Sequence, residues 1–264
     1  MGRGQGAVRT SGVWRGGIIM SYKLLETNVI YNEDCLIGMK KLPDNSIDLV
    51  LTDPPYPINT NNGTNRFSEN GWFEGSSDKY DEEWYKDFET KLKEIKRVLK
   101  PGRHFYCFVD EKNLFLMKPY LDKYFEFKKV IVWHKVNIGL GYHYRNVIEY
   151  CFLYSNGKSQ RFIKNQPNFY QAPKDNVDGH PTVKSCSMFE WLIKNSSNKG
   201  ELVLDPYIGS GTTAVASLRT GRKFIGFEID KEYFKLAITR LSKFSKKYLN
   251  ALPEEEQPDQ LQMF

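Results

Sequence analysis

Two short runs combine reactive side chains with a backbone shaped to present them. Thr52-Asp53-Pro54-Pro55-Tyr56 ends the apolar stretch Ile47 to Leu51. Its two prolines keep the backbone extended and stop a sheet from continuing. Asp53 and Tyr56 should therefore project beyond a strand's C-terminal edge, where open α/β sheets bind ligands. An acid beside an aromatic suits a flat substrate with an amine: the ring stacks and the carboxylate accepts an amino hydrogen. The second run, Asp205-Pro206-Tyr207-Ile208-Gly209-Ser210-Gly211-Thr212-Thr213, follows Leu202 to Leu204 and opens a helix. Its glycines allow close backbone approach to a ligand, and the helix start offers free N–H groups. Glu228 ends the next strand, where an acid can accept hydrogen bonds from ribose hydroxyls. Neither GxGxxG nor GxxxxGK[ST] is present, so a dinucleotide site and a P-loop are not indicated. Taken singly, each run also reads as a plain strand stop or a turn with packing glycines.

The elements that position these runs follow from periodicity and breakers. Ile47–Thr52, Leu202–Asp205 and Lys223–Glu228 are predicted strands, the last two at βαβ spacing. A short helix from Gly209 to Gly221 lies between them. Val29–Asn32 is a further strand, followed by a helix through Met39. Glu82 to Leu99 places Trp84, Phe88, Leu92, Ile95 and Leu99 at helical spacing before Pro101 and Gly102. His104–Val109, Val130–Trp133 and Ile148–Tyr154 are predicted strands, the last two able to form a hairpin. Met188–Ser197 and Lys231–Tyr248 are predicted helices. Strands alternating with helices imply a mostly parallel sheet covered on both faces. Residues 57–81, with five Asn and three Gly, and residues 156–180 lack such a pattern and are expected to be long loops, functional or disordered.

Composition sets the outer bounds. The 264 residues are 40% hydrophobic, enough for one large α/β domain, and no apolar run approaches the roughly 18 residues of a membrane helix. Cys35, Cys107, Cys151 and Cys186 form no CxxC pair, and the four histidines are dispersed, so reduced thiols and no metal site are expected. The formal net charge is +6, with +3 on residues 1–21 and −4 on residues 250–264, leaving +7 on the body between. A basic body with an acidic tail fits a polyanion partner. Residues 1–20, with Arg3, Arg9 and Arg15 and no acid, read as a disordered or vector-derived leader, with Met20 as the natural start.

Taken together, Asp53-Pro54-Pro55-Tyr56, His180-Pro181-Thr182-Val183-Lys184 and the Asp205–Thr213 run closely resemble the amino-methyltransferases of DNA. Asn32-Glu33-Asp34-Cys35, Gly226-Phe227-Glu228-Ile229-Asp230, Tyr233 and Arg240 extend the resemblance over nearly all of residues 28–248. The catalytic motif precedes the cofactor motif, as in the β arrangement of that family. The resemblance implies an S-adenosylmethionine-dependent, Rossmann-like methyltransferase fold. Its sheet would be mostly parallel and seven-stranded with an antiparallel hairpin, in a circularly permuted motif order, filling residues 21–249. S-adenosylmethionine is the implied cofactor. Asp205, Gly209 and Gly211 would line its methionine end, Glu228 would hold the ribose, and Asp34 would reach the adenine amino group. Thr182 and Lys184 would lie near its carboxylate, and Cys35, Asp53, Tyr207, Thr212 and Ile229 complete the implied cofactor set. Asp53 and the Pro54 carbonyl would accept hydrogen bonds from the target amino group while Tyr56 stacks on the base. Ser185 follows Lys184 where the family usually has proline, which should shift the next helix slightly.

The implied reaction is methylation of N6 of adenine in double-stranded DNA after base flipping. N4 of cytosine is the nearest alternative. RNA, a protein glutamine, or a DNA-binding protein without catalysis are more distant. Residues 57–81 would close over the flipped base, with Arg66 and Trp72 against DNA. Residues 156–180 lie where the family carries target recognition, with Lys158, Arg161, Lys164 and Lys174 toward phosphates. A prokaryotic or phage-infected cytoplasm, no membrane and an allowed homodimer complete the expectation. After Pro253 the chain has the composition of a flexible acidic tail, residues 250–264. Its end, Gln260-Leu261-Gln262-Met263-Phe264, resembles the short peptides that dock on the replication sliding clamp.

Overall fold

Alternating strands and helices are built as the periodicity requires. The structure is a computed structural model and describes residues 10–15, 18–23, 25–55, 78–136, 144–159, 165–175 and 183–244. In chain order these form β1 (Thr10–Arg15), β2 (Ile18–Lys23), β3 (Val29–Tyr31), α1 (Cys35–Lys40), β4 (Ile47–Thr52), α2 (Asp78–Val98) and β5 (Leu99–Val109). There follow α3 (Asn113–Asp122), β6 (Glu126–His134), β7 (Ile148–Ser155), β8 (Phe169–Gln171), α4 (Cys186–Ser196), β9 (Leu202–Asp205), α5 (Thr212–Arg219), β10 (Lys223–Phe227) and α6 (Lys231–Phe244).

The main sheet has the order β3-β10-β9-β4-β5-β7-β6-β8. The strands from β3 to β5 run parallel, β7 runs antiparallel between β5 and β6, and β8 is parallel to β6. One edge of the sheet therefore collects the C-terminal ends of β3, β10, β9, β4, β5, β6 and β8 and the N-terminal end of β7. That edge receives both chemical runs.

Every residue of β4 is buried; side chains alternate between the two faces from Leu49 onward, and an irregularity in register between Ile47 and Leu49 puts Ile47 on the same face as Val50. Ile47 and Val50 pack under α2, with Phe88, Leu92 and Ile95. Leu49 and Leu51 pack under α4, with Met188, Phe189, Leu192 and Ile193. A third cluster joins α5 and α6 to β3 and β10 through Val215, Ala237 and Leu241. At the opposite edge Asp48 accepts from Lys100 Nζ (2.6 Å), Arg103 (2.8 Å) and the Leu202 backbone N–H (3.0 Å), pinning β4 to β5 and β9.

Three expectations are corrected in detail, and one helix is added. Among the described residues the sheet has eight strands, not seven, because β8 from the expected recognition segment covers the exposed edge of β6. Val132 N–H donates to Asn168 O (2.9 Å) and Trp133 Nε1 to Ala172 O (2.8 Å), so the edge gains partners that a loop would have left unmade. Helix α2 begins at Asp78, taking the last residues of the expected 57–81 loop into the helix. Helix α3 was not anticipated, because Pro119 lies within it. Within the expected leader, β1 and β2 pair antiparallel from Thr10↔Lys23 to Arg15↔Ile18.

Candidate active site

Thr52 and Asp205 end adjacent buried strands, β4 and β9, and the Thr52 hydroxyl donates to Asp205 Oδ1 at 2.7 Å. Asp205 Oδ1 also accepts the Tyr207 N–H (3.1 Å), and Oδ2 accepts the Thr213 hydroxyl at the start of α5. Both carboxylate oxygens of Asp205 are thus occupied from within, and the residue shapes the glycine-rich turn. Burial raises its pKa to about 7, against the hydrogen bonds from Thr213, Thr52 and Tyr207.

The turn between β9 and α5 is held from two further sides. Gly209 N–H donates to Glu228 Oε2 (2.9 Å) at the end of β10, and Glu228 Oε1 accepts the Asp230 N–H (2.8 Å). Gly211 caps α5 with φ 82°, a left-handed conformation that favours glycine. Gly226 lies under the turn, where a Cβ would sit 2.1 Å from Ile208 Cδ1. Arg240 on α6 donates to Thr212 Oγ1 (2.9 Å) and Ser210 O (3.3 Å). Its other terminal nitrogen pairs with Asp175 Oδ2 at 2.7 Å. Glu228 is half-buried and burial raises its carboxyl, opposed by the backbone N–H groups. Ile229 beside it is exposed.

Asp34 caps α1, its Oδ1 accepting from the Leu36 N–H (2.8 Å) and Ile37 N–H (3.3 Å). It shares the sheet edge with Glu228, since β3 and β10 are neighbours and Asn32 Nδ2 donates to Glu228 O at 2.8 Å. Cys35 is buried beside the Tyr207 hydroxyl, and burial pushes its thiol up to about 12.

Asp53 follows β4 directly, with Pro54 buried behind it. Asp53 Oδ2 pairs with Lys184 Nζ at 2.8 Å, and the same ammonium pairs with Glu149 Oε2 at 2.8 Å. Asp53 Oδ1 is buried with no hydrogen-bond partner among the described residues. Burial raises the Asp53 carboxyl above its ordinary range, against the pull of Lys184. Lys184, expected beside the cofactor carboxylate, thus stands between two acids. Ser185 occupies the N-cap position of α4, which starts at Cys186, two residues earlier than expected.

The structure therefore brings Asp53, Pro54, Lys184, Asp205, Tyr207, Gly209, Gly211, Thr212, Glu228, Ile229, Asp34 and Cys35 to one sheet edge. Tyr56, Arg66, Trp72, Arg161, Lys164 and Thr182 lie outside the described residues. Lys158 is not brought to the site. It follows the C-terminal end of antiparallel β7, beside Ser159, whose hydroxyl meets His104 Nε2 (2.7 Å) at the opposite edge.

The DNA methylase family of N6/N4 type matches residues 47–239. DNA adenine methyltransferase YhdJ of Escherichia coli (strain K12) is 32% identical over 260 residues, covering 82% of this chain and 83% of its own length. The chain belongs to the N6/N4 DNA methylases. Type II methyltransferase M2.DpnII of Streptococcus pneumoniae is 28% identical, with 86% of this chain and 94% of the relative covered. The solved structure of M1.HpyAVI matches with a TM-score of 0.58 at 25% identity, covering 80% of this chain and 97% of its own. PvuII DNA methyltransferase, cytosine-N4-specific, matches with a TM-score of 0.67 at 18% identity, covering 88% and 90%, and shares the fold.

Several residues of this methylase site were not singled out from the sequence. Thr52 carried a signal as the one hydroxyl at the end of an apolar strand. Glu149 is the only charged residue in β7, Ile148–Ser155, which is otherwise aliphatic, aromatic, Cys or Ser. Asp175 carried no local signal, since its meaning comes from Arg240, 65 residues away.

Proposed function

We propose that this methylase transfers the methyl group of S-adenosylmethionine to N6 of adenine in double-stranded DNA. The observation that carries the reading is Asp53: a carboxylate just after β4, tethered through one oxygen, with the other buried and without a partner among the described residues.

S-adenosylmethionine fits the residues present. Glu228 and Asp34 offer carboxylates for ribose and adenine donors, Ile229 an exposed apolar face, and Gly209 and Gly211 a backbone open to close approach. When bound, this cofactor supplies an electrophilic methyl group on a sulfonium. The chain's own residues must then make a poor nucleophile competent. A base amino nitrogen has its lone pair delocalised into the ring, and acceptors on its hydrogens draw it toward tetrahedral geometry. Asp53 Oδ1 and the Pro54 carbonyl would accept those hydrogens, and Tyr56 would stack on the base. The rest is positioning, which Thr52 and Asp205 serve by fixing the catalytic strand against the cofactor turn. The target atom is inaccessible in a duplex, so the base is flipped at a cost of a few kcal/mol.

Adenine is favoured over cytosine by the leading acid of Asp53-Pro54-Pro55-Tyr56 and by the adenine specificity in the name of the Escherichia coli relative. The decisive experiment is nucleoside mass spectrometry of duplex DNA after reaction with isotope-labelled cofactor. N6-methyladenine is the expected product; a dominant N4-methylcytosine peak overturns the assignment.

A DNA substrate and bacterial relatives support action in a prokaryotic or phage-infected cytoplasm. Among the described residues no helix is long and apolar enough to cross a membrane. The terminal Gln260–Phe264 peptide, outside the described residues, supports docking on a sliding clamp, with Leu261, Met263 and Phe264 filling an apolar groove. A fluorescent peptide of residues 254–264 should bind purified clamp, and its Leu261→Ala, Phe264→Ala version should not. Light scattering of the purified chain tests the homodimer.

A further inference from the structure

Lys184 is held from three sides. Its ammonium pairs with Asp53 Oδ2 and with Glu149 Oε2, each at 2.8 Å, and lies 5.4 Å from the centre of the Phe108 ring. Phe108 is itself fixed by stacking on Phe189 of α4, ring centres 5.1 Å apart. An ammonium has three donors and no preferred plane, so alone it could rotate to serve both Asp53 oxygens. Glu149 takes one of the three donor directions.

Glu149 also receives two other cations. Lys135, just beyond β6, lies 3.3 Å from Glu149 Oε1, and Lys174, beyond β8, lies 3.8 Å from the same oxygen. Three segments of chain thus converge on one carboxylate at the start of β7. Burial raises the Glu149 carboxyl, but Lys184, Lys135 and Lys174 outweigh it and hold the group below the ordinary carboxylate range, so it is ionised at neutral pH.

We propose that Glu149 is a positioning residue for methyl transfer: it holds Lys184 on Asp53 Oδ2 and so leaves Oδ1 to accept the target amino group. The proposal rests on the reading of Asp53 as the acceptor for that amino group. Asp53 has other charged or titratable neighbours within electrostatic reach. They are Lys184 before α4, Glu149 and Cys151 on β7, Cys107 and Asp110 at β5, Asp205 on β9 and Lys174 after β8. Neutralising Glu149 leaves three ammonium groups with Asp53 as the acid next to Lys184. Lys184 then turns wholly onto Asp53, which becomes more acidic and a weaker, partly blocked acceptor.

The test compares the full-length wild type with Glu149→Gln and Lys135→Gln. Carboxyl 13C NMR of aspartate-labelled protein without cofactor follows the Asp53 titration directly, and single-turnover methylation follows activity against pH. In Glu149→Gln the Asp53 titration and the acidic limb of the rate should both move to lower pH. The rate at neutral pH should fall about tenfold, the scale of partners one step removed from a reacting centre, with S-adenosylmethionine affinity kept within threefold. Lys135→Gln, which removes a cation from the far side of Glu149, should move the Asp53 titration the other way and serves if Glu149→Gln does not fold. A carboxylate kept only to hold the fold would lower thermal stability and leave both titrations in place, and that result overturns the proposal. A wild type inactive on DNA would instead remove the methyltransferase reading, while the NMR titrations would still decide the Glu149–Asp53 link.

Discussion

Thr52 and Asp205 are 153 residues apart in sequence, yet the hydroxyl of one donates to a carboxylate oxygen of the other at 2.7 Å. This bond ties the strand that leads into Asp53 to the strand that opens the glycine-rich turn. Reacting groups on two loops are thereby set from two rigid, paired strands, which is the firmest way a sheet can hold them. Changes at either end separate into effects on chemistry and effects on cofactor binding.

Asp53→Ala should lower methyl transfer by a factor of about 10² to 10³, the cost of losing one preorganised partner of the reacting group. S-adenosylmethionine binding, measured by calorimetry, should survive, because Asp53 follows β4 while the glycine-rich turn is built on β9 and β10. Complete loss of cofactor binding in this variant would contradict the role.

Asp205→Ala should do the reverse. It leaves the buried Thr52 and Thr213 hydroxyls and the Tyr207 N–H without their acceptor, at about 1–3 kcal/mol per orphaned group. Cofactor affinity should weaken first and the melting temperature should fall with it. Unchanged affinity by calorimetry would show that the turn holds its shape without Asp205.

Gly226→Ala tests the support beneath the turn. The added Cβ would meet Ile208 Cδ1 at 2.1 Å and Ile208 Cβ and Cγ1 at 3.0 Å, an overpacking worth about 1–3 kcal/mol. Thermal unfolding should register the loss, and Ile208→Val in the same chain should return part of it by removing Cδ1. No recovery in the double variant would place the strain elsewhere.

His104 links pH to stability away from the site. It is buried with Nδ1 2.6 Å from Ser196 Oγ and Nε2 2.7 Å from Ser159 Oγ, and burial, with Lys128 and Arg103, lowers its pKa from 6.5 to about 4. The unfolded chain therefore binds the proton more readily, so this contribution is complete above the unfolded pKa and is lost as pH falls toward 4. Urea unfolding at pH 7 and pH 5 should show a drop of about 1–3 kcal/mol that is smaller in His104→Gln. Equal drops in both proteins would assign the pH dependence to other groups.

What the sequence determined by itself was everything carried by a continuous stretch of chain. Ile47–Thr52 running into Pro54-Pro55, and Leu202–Asp205 running into a glycine turn, announce strand, stop and an acid at the strand's end within a dozen residues, and the βαβ spacing to Glu228 follows from the same local pattern. Asp53, Asp205, Gly209 and Glu228 were legible for that reason. The tertiary structure decided which strand lies beside which. Only the order β10-β9-β4-β5-β7 brings Thr52 to Asp205 and carries Glu149 to the edge where Lys184 meets Asp53. The antiparallel run of β7 sends its first residues to the site and its last toward Lys158 at the far edge, and β8 fills an edge that no periodicity revealed. The physical reason is common to all of these. A hydrogen bond or ion pair across a sheet depends on strand direction and register, and both are fixed by burying two faces at once and not by any single stretch of sequence.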